Sequence, residues 1–255
     1  MGPDRTILYR TPQSICDVEA IADWLQDRLD TPVTVRDRFL GTHADSDLAE
    51  ALSESRVLSP FDRETGSRMY GVIQYEERLL TEPERGGGVL YDGQAVQRAL
   101  NRRLPADEQG LDTLHVIILD RHLATWGDHD GRWHKRIAVL GQPALISVPG
   151  LAEAPAKPNA YYKLKQQHAL VSGDTPPREM LEGAIDADVL VPDDPRTTDA
   201  LKGYVLAAID LLASGEAFCD DPQCRLYNGH RHAEVIQAQL SAPEFCERHH
   251  RSYAP

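Results

Sequence analysis

The sequence is poor in lysine and contains no long apolar run. Only five of its 27 basic residues are lysine, and 40 acidic residues give it a formal net charge of -13. Such a charge repels the phosphates of nucleic acids and anionic membrane surfaces, so we expect neither as a partner. No stretch reaches the roughly 18 consecutive apolar residues that a membrane-spanning helix needs. The sequence therefore predicts no transmembrane segment.

Composition also bears on location and source. The first residues do not form the apolar core of a signal peptide, so we expect a cytoplasmic protein. Abundant carboxylates with scarce lysine suit a surface that stays soluble in high salt, which favours a halophilic, archaeal source. The alternative is an acidic protein from a GC-rich genome. Four cysteines in a cytoplasmic chain argue against a disulfide framework, and we expect the isolated Cys16 to be a small buried hydrophobic residue.

Strand and helix patterns alternate in the first part of the chain, and helices dominate later. This order predicts an α/β fold with one sheet layer, followed by a helical C-terminal part. We place a boundary near residue 111, between an N-terminal α/β part of uncertain role (1–111) and the remainder (112–255); one continuous domain is the alternative. The predicted strands are Thr6–Tyr9, Pro32–Phe39, Leu114–Leu119, Ile137–Leu140 and Ala144–Val148. The main predicted helices are Ser14–Leu29, with Ser14 as its capping residue, Asp45–Ser55, Asp92–Leu104, Asn159–Leu170 and Thr198–Ser214.

The remaining three cysteines lie close to two histidines near the C-terminus. Cys219 and Cys224 flank a turn-forming loop, and Cys246 is followed at the third position by His249. Zinc favours this ligand set in a tetrahedron, so we expect zinc at Cys219, Cys224, Cys246 and His249, with His250 as a substitute for His249. Four protein ligands leave no open position, so the ion would be structural, one per chain. The alternative is a group of reduced thiols beside solvent-exposed histidines.

This stretch resembles the archaemetzincins, a family of archaeal and eukaryotic zinc metallopeptidases. Their pattern is H-E-x-x-H-x-x-G-x-x-H, then C-x4-C-x-M, and later C-x-x-C. The first part binds catalytic zinc and the cysteines bind a second, structural zinc. Here C-x4-C matches at Cys219 and Cys224, Leu226 stands where the family has Met, and Cys246 with His249 stands where it has its last pair.

The resemblance fails in the catalytic part. Counting back from Cys219, Gly215 falls on the Gly of the motif, but the catalytic positions are apolar: Ala208, Ile209, Leu212 and Phe218. Two histidines four residues apart on a helix can hold one zinc, whereas alanine and leucine cannot. We therefore expect no catalytic residues, and we expect Gly215 to end a helix in the left-handed conformation.

Upstream, the order of short strands between residues 114 and 149 also resembles that family. In all, the resemblance covers about residues 112–250. It implies a metzincin-like mixed sheet with flanking helices and a C-terminal zinc knuckle.

Other histidines are weaker candidates for metal ligands. His122, His129 and His134 lie among Asp120, Asp128 and Asp130, and we expect this stretch to be a polar surface loop between strands. His230 and His232 are two residues apart and would face away from each other on a helix, so a solvated turn and helix start is expected there.

Three functions follow from the sequence. The first is a metallopeptidase homologue that keeps a structural zinc, lacks catalytic zinc, and binds a peptide or protein without cutting it. The second is an active zinc peptidase that uses histidines outside the family motif: His115, His122, His129, His134, His230 and His232. The third is an interaction module in which the zinc knuckle is the binding surface. The sequence does not indicate an oligomeric state.

Overall fold

The computed structural model describes residues 2–12, 15–83 and 87–253. Within them the strands are β1 (Arg5–Tyr9), β2 (Val33–Arg36), β3 (Leu90–Asp92), β4 (Thr113–Leu119), β5 (His122–Gly127), β6 (Arg132–Arg136), β7 (Ala138–Val139) and β8 (Ala144–Ser147). The helices are α1 (Val18–Gln26), α2 (Phe39–Thr42), α3 (Ser46–Glu54), α4 (Tyr70–Thr81), α5 (Gly93–Asn101), α6 (Val148–Glu153), α7 (Asn159–Ser172), α8 (Arg178–Gly183), α9 (Thr197–Ser214), α10 (His232–Leu240) and α11 (Glu247–Tyr253).

A five-stranded mixed sheet forms the centre of the fold, in the order β2-β1-β4-β8-β7. The first four strands run parallel, and the edge strand β7 runs antiparallel to β8. The predicted α/β class, with a mixed sheet and flanking helices, is thus confirmed. Because β1, β2 and β4 share this sheet, segments from both sides of residue 111 contribute to one layer.

The two faces of β4 explain its sequence. Every residue of this strand is buried. Val116 and Ile118 pack with α1 and α9 in one core, while Ile117 and Leu119 pack with α3 and α5 in the other. A strand covered by helices on both faces needs apolar residues at consecutive positions, which is the pattern of Leu114–Leu119.

Helix α9 is the central helix of the first core. Eleven of its 18 residues are buried. Gly203 permits its close approach to the C-terminal segment, because a Cβ there would lie 2.6 Å from the backbone oxygen of Arg225. The helix ends at Gly215 with a φ of 83°, as predicted. Among the described residues, no helix is both long and apolar enough to cross a bilayer.

The structure corrects two predictions about local structure and defines the start of α1. The predicted strand Pro32–Phe39 is shorter, because Phe39 already begins α2. Helix α1 begins at Val18, with the carboxylate of Asp17 accepting from the backbone N–H of Ala20; the predicted capping residue Ser14 lies outside the described residues. The stretch from His122 to His134 is not a polar loop, because β5 and β6 pair there as a hairpin in a second sheet of order β3-β5-β6.

Candidate metal centre and adjoining cleft

Two short segments after α9 bring the predicted zinc ligands together. In the first segment the backbone N–H of Cys219 donates to Leu226 O at 2.9 Å, and the N–H of Cys224 donates to Asp221 O at 3.0 Å. These bonds close the loop so that both thiols point to one side. In the second segment Cys246 immediately precedes α11, and His249 lies one turn later on that helix. Residues three apart on a helix share a face, so both point toward the first segment.

The distances within this cluster match a tetrahedral zinc site. With Zn–S bonds of ~2.3 Å and Zn–N bonds of ~2.0 Å, tetrahedral geometry separates two sulfurs by about 3.8 Å and a sulfur from a nitrogen by about 3.5 Å. The Cys219 and Cys246 sulfurs are 3.8 Å apart. The Nδ1 of His249 lies 3.4 Å from the Cys224 sulfur and 3.3 Å from the Cys246 sulfur. All four ligand atoms lie within 4.8 Å of one another, so the set fits zinc.

The two adjacent histidines differ in position. His249 is buried, with its ring stacked on Tyr253 at 6.3 Å between centroids. His250 is exposed and does not belong to the converging set. The geometry therefore selects His249 as the fourth candidate ligand.

The cluster is anchored to the main core. The carboxylate of Glu244 accepts from Arg28 and Arg225, each at 2.9 Å, and both guanidinium groups lie over the ring of Trp24. Phe245 packs against the same ring at 6.2 Å between centroids. Because Trp24 is on α1, these contacts fix the segment that carries Cys246 to that helix.

The thiols differ in their electrostatic environment. Burial raises the pKa of Cys224 to about 12. Burial also acts to raise the pKa of Cys246. Hydrogen bonds from the backbone N–H of His249 and from the thiols of Cys219 and Cys224 outweigh it and hold the pKa below its ordinary value. Since zinc binds thiolates, a zinc ion bound here would displace protons and would bind less tightly at low pH.

Helix α9 is buried at the positions that align with the catalytic motif of the archaemetzincins in the sequence comparison above. Ala208 and Ile209 are 1% and 3% exposed, and Leu212 packs against the same core. Phe218 is the exception, because it is partly exposed and lines a cleft. These side chains offer no ligand atom at that place.

This cleft has a volume of about 690 Å³ and lies along the sheet edge. One wall is the continuous segment from β6 into β7, which contributes Arg136 and Ala138. The opposite wall includes Tyr204 of α9 and His230. Tyr204 is 3% exposed, and its hydroxyl has no hydrogen-bond partner within the described part of the chain.

The cleft is basic although the protein is acidic. Its only lining carboxylate, within the described residues, is Glu153, which is paired with Lys135 at 2.8 Å and with Arg178. Arg136 donates to the hydroxyl of Thr125 and forms no ion pair with a described residue. Burial lowers its pKa, as expected for a cation without a neighbouring carboxylate. The sequence analysis missed Tyr204 and Arg136, because their roles depend on the sheet edge and on α9 meeting in space.

Two of the other candidate histidines are buried and have hydrogen-bond partners within the fold. His115 is buried between the hydroxyl of Tyr9 at 3.0 Å and the backbone oxygen of Glu108 at 3.1 Å. The helix start predicted at His232 is confirmed, because α10 begins there. Its predicted solvation is wrong, since this side chain is 1% exposed and accepts from the backbone N–H of Leu190 at 3.0 Å. Among the described residues, the one other converging set is His129, Asp130 and His134 at the tip of the β5–β6 hairpin. The signals for that hairpin were the Asp130-Gly131 turn pair and the apolar residues flanking it.

Comparisons with known proteins give a family and one solved structure. The model of a family of unknown function (DUF7001) matches residues 7–252. No curated protein matches the chain. Among solved structures, a zinc-dependent peptidase from Methanocorpusculum labreanum (strain Z) is 15% identical, with a TM-score of 0.45 over 97% of this chain and 98% of that one.

Proposed function

The chain belongs to this family of unknown function, DUF7001, and we propose that it is a metzincin-like, non-catalytic peptide-binding protein stabilised by one structural zinc. One observation carries the proposal. Four ligand atoms converge with tetrahedral spacing at Cys219, Cys224, Cys246 and His249, while Ala208 and Leu212 pack into the core where the resembling family has zinc-binding histidines.

The role of the zinc follows from its ligands. Three thiolates and one imidazole complete a tetrahedron and leave no position for water or substrate. The ion would therefore join the segment after α9 to the segment that begins α11. Without it, three thiols and a buried imidazole would be held together only by weak sulfur hydrogen bonds.

The cleft supplies the binding site. An edge strand presents unpaired backbone groups, which an extended peptide satisfies by adding as a further strand. The edge strand β7 provides such a border, because its residue Ala138 and the preceding Ile137 line the cleft. Phe218 and Tyr162 provide apolar surface for the side chains of the peptide.

Charge indicates which peptides fit. Arg136 lines the cleft without a carboxylate partner among the described residues, and Arg132 and Lys135 lie on the same strand. An acidic peptide would give Arg136 the partner it lacks. We therefore propose extended peptides rich in carboxylates as ligands.

The test compares two fluorescein-labelled extended peptides with the same apolar residues, one rich in glutamate and one rich in lysine. Fluorescence anisotropy should show binding of the glutamate-rich peptide alone. Arg136→Gln should weaken that binding by at least about tenfold, because a hydrogen bond to a charged group contributes ~1.5–3 kcal/mol. Arg98→Gln, at an exposed position of α5, is the control and should bind as the wild type does.

Mass spectrometry of the same mixtures, with zinc added, tests catalysis. We expect both peptides to stay intact. Cleavage that depends on zinc would instead support an active peptidase using histidines outside the family motif, and equal binding of both peptides would contradict the role of Arg136. The interaction-module hypothesis is less favoured, because Phe245 and Tyr253 beside the zinc ligands are buried in the main core.

A further inference from the structure

The turn of the β5–β6 hairpin and the adjoining part of β6 hold three potential metal ligands in one place. Asp130 Oδ1 lies 2.9 Å from His134 Nε2 and 3.7 Å from His129 Nε2. The two imidazole rings are stacked at 5.7 Å with an angle of 11° between their planes. All three ligand atoms lie within 4.8 Å of one another.

Two neighbouring residues shape this group. Arg132 donates from Nε to Oδ2 of Asp130 at 2.7 Å, so the second oxygen, Oδ1, is left facing both imidazoles. Gly127 provides the space, because a Cβ at this position would lie 2.6 Å from Asp130 Oδ1 and 2.8 Å from His134 Nε2. A residue that holds the other carboxylate oxygen and fixes its orientation is a common support of metal ligands.

A hydrogen-bonded hairpin would explain part of this arrangement, since Asp130 and His134 alone form a good pair. It does not explain His129, whose side chain is 79% exposed and yet turns its Nε2 toward the same oxygen. An exposed histidine gains little from a distant carboxylate in water. A cation shared by all three groups accounts for the convergence.

We propose that His129, Asp130 and His134 bind a divalent transition-metal ion of the zinc, nickel or copper class. Two imidazole nitrogens and one carboxylate oxygen suit these ions, and three protein ligands leave positions open for water. The site is separate from the cysteine cluster and does not depend on the proposed function. Because His134 also lines the cleft, the ion would lie at the rim of that cleft.

The test is calorimetric titration of the zinc-loaded, full-length protein with nickel at neutral pH, after dialysis against a weak chelator. We expect one nickel ion per chain. His134→Ala and His129→Ala should each weaken binding by at least about tenfold, and Gly127→Ala should do the same by filling the space. His168→Ala, at a histidine of α7 whose ring bonds to Ser172, is the matched control and should leave binding unchanged.

Zinc content is measured before and after each titration, so that exchange at the cysteine cluster is recognised. The proposal is overturned if the wild type binds no nickel at millimolar concentration, or if His134→Ala binds as tightly as the wild type. Circular dichroism establishes that each variant is folded. His129 lies in the hairpin turn, and Gly127 and His134 lie on β5 and β6. All three are outside both cores, so folding should persist.

Discussion

Removal of a single oxygen atom from Tyr204 should stabilise the protein. The hydroxyl of this residue is buried in the wall of the cleft and has no hydrogen-bond partner among the described residues. Burial of an unsatisfied polar group costs ~1–3 kcal/mol. Tyr204→Phe removes this cost and keeps the ring, so the free energy of unfolding should rise by about 1 kcal/mol or more. For a chain of this size that corresponds to a rise in Tm of roughly 2–4 °C per kcal/mol.

The same substitution at Tyr91 gives the control with the opposite sign. Tyr91 is 1% exposed, and its hydroxyl donates to Glu76 at 2.9 Å and accepts from Arg121 at 2.6 Å. Tyr91→Phe should therefore lower the free energy of unfolding by ~1.5–3 kcal/mol, the range for hydrogen bonds to charged groups. Urea denaturation of both variants measures the two effects. If Tyr204→Phe destabilises as much as Tyr91→Phe, the hydroxyl of Tyr204 is satisfied and this reasoning is refuted.

Three further changes have defined outcomes. Gly203→Ala should lower the free energy of unfolding in urea by ~1–3 kcal/mol, because the added Cβ meets the backbone oxygen of Arg225. Gly71→Ala in α4, where nothing lies within 4 Å, should raise it by up to about 1 kcal/mol. Equal effects of the two substitutions would contradict the close approach at Gly203. Burial lowers the pKa of His232 to about 4, so the folded protein favours the neutral imidazole. The stability that this histidine contributes is therefore complete above its unfolded pKa of ~6.5 and is lost as the pH falls toward 4. His232→Asn, which keeps an acceptor for the N–H of Leu190, should flatten the fall in stability between these pH values, and an unchanged slope would argue against a neutral buried histidine. Chelation of zinc should lower Tm by roughly 8–16 °C, since a ligand at about 1,000 times its Kd stabilises by ~4 kcal/mol; no change in Tm would mean that the cluster contributes nothing to folding.

The central layer of the fold could be predicted because composition and periodicity within short segments determine its strands and helices. The run Leu114–Leu119 has the branched apolar composition of a doubly covered strand, and the structure places it as β4 in the middle of the sheet. Helix α9 and its end at Gly215 were likewise predicted from periodicity and a C-terminal glycine. Cys16 is buried, as expected.

The cleft was missed because its signals are not local. The hairpin was missed because its local signal, the Asp130-Gly131 pair, lies between strands of mostly polar sequence. His122–Gly127 and Arg132–Arg136 carry many polar residues, and burial of Trp133 against the loop at Asp62 is visible only in three dimensions. The same holds for His232, which is polar in sequence but enclosed by the loop at Leu190. The convergence of the zinc candidates was predictable, since cysteine spacing limits the possible ligands, while the choice of His249 over His250 required the orientation of α11.

The central claim is tested most directly by zinc content. The wild type and Cys224→Ser are purified with added zinc, dialysed against a weak chelator, and measured by inductively coupled plasma mass spectrometry. The account predicts one zinc ion per wild-type chain and essentially none in Cys224→Ser, because this buried thiolate is one of four ligands that close the site. A wild-type chain without zinc, or a variant that retains it fully, would contradict the account.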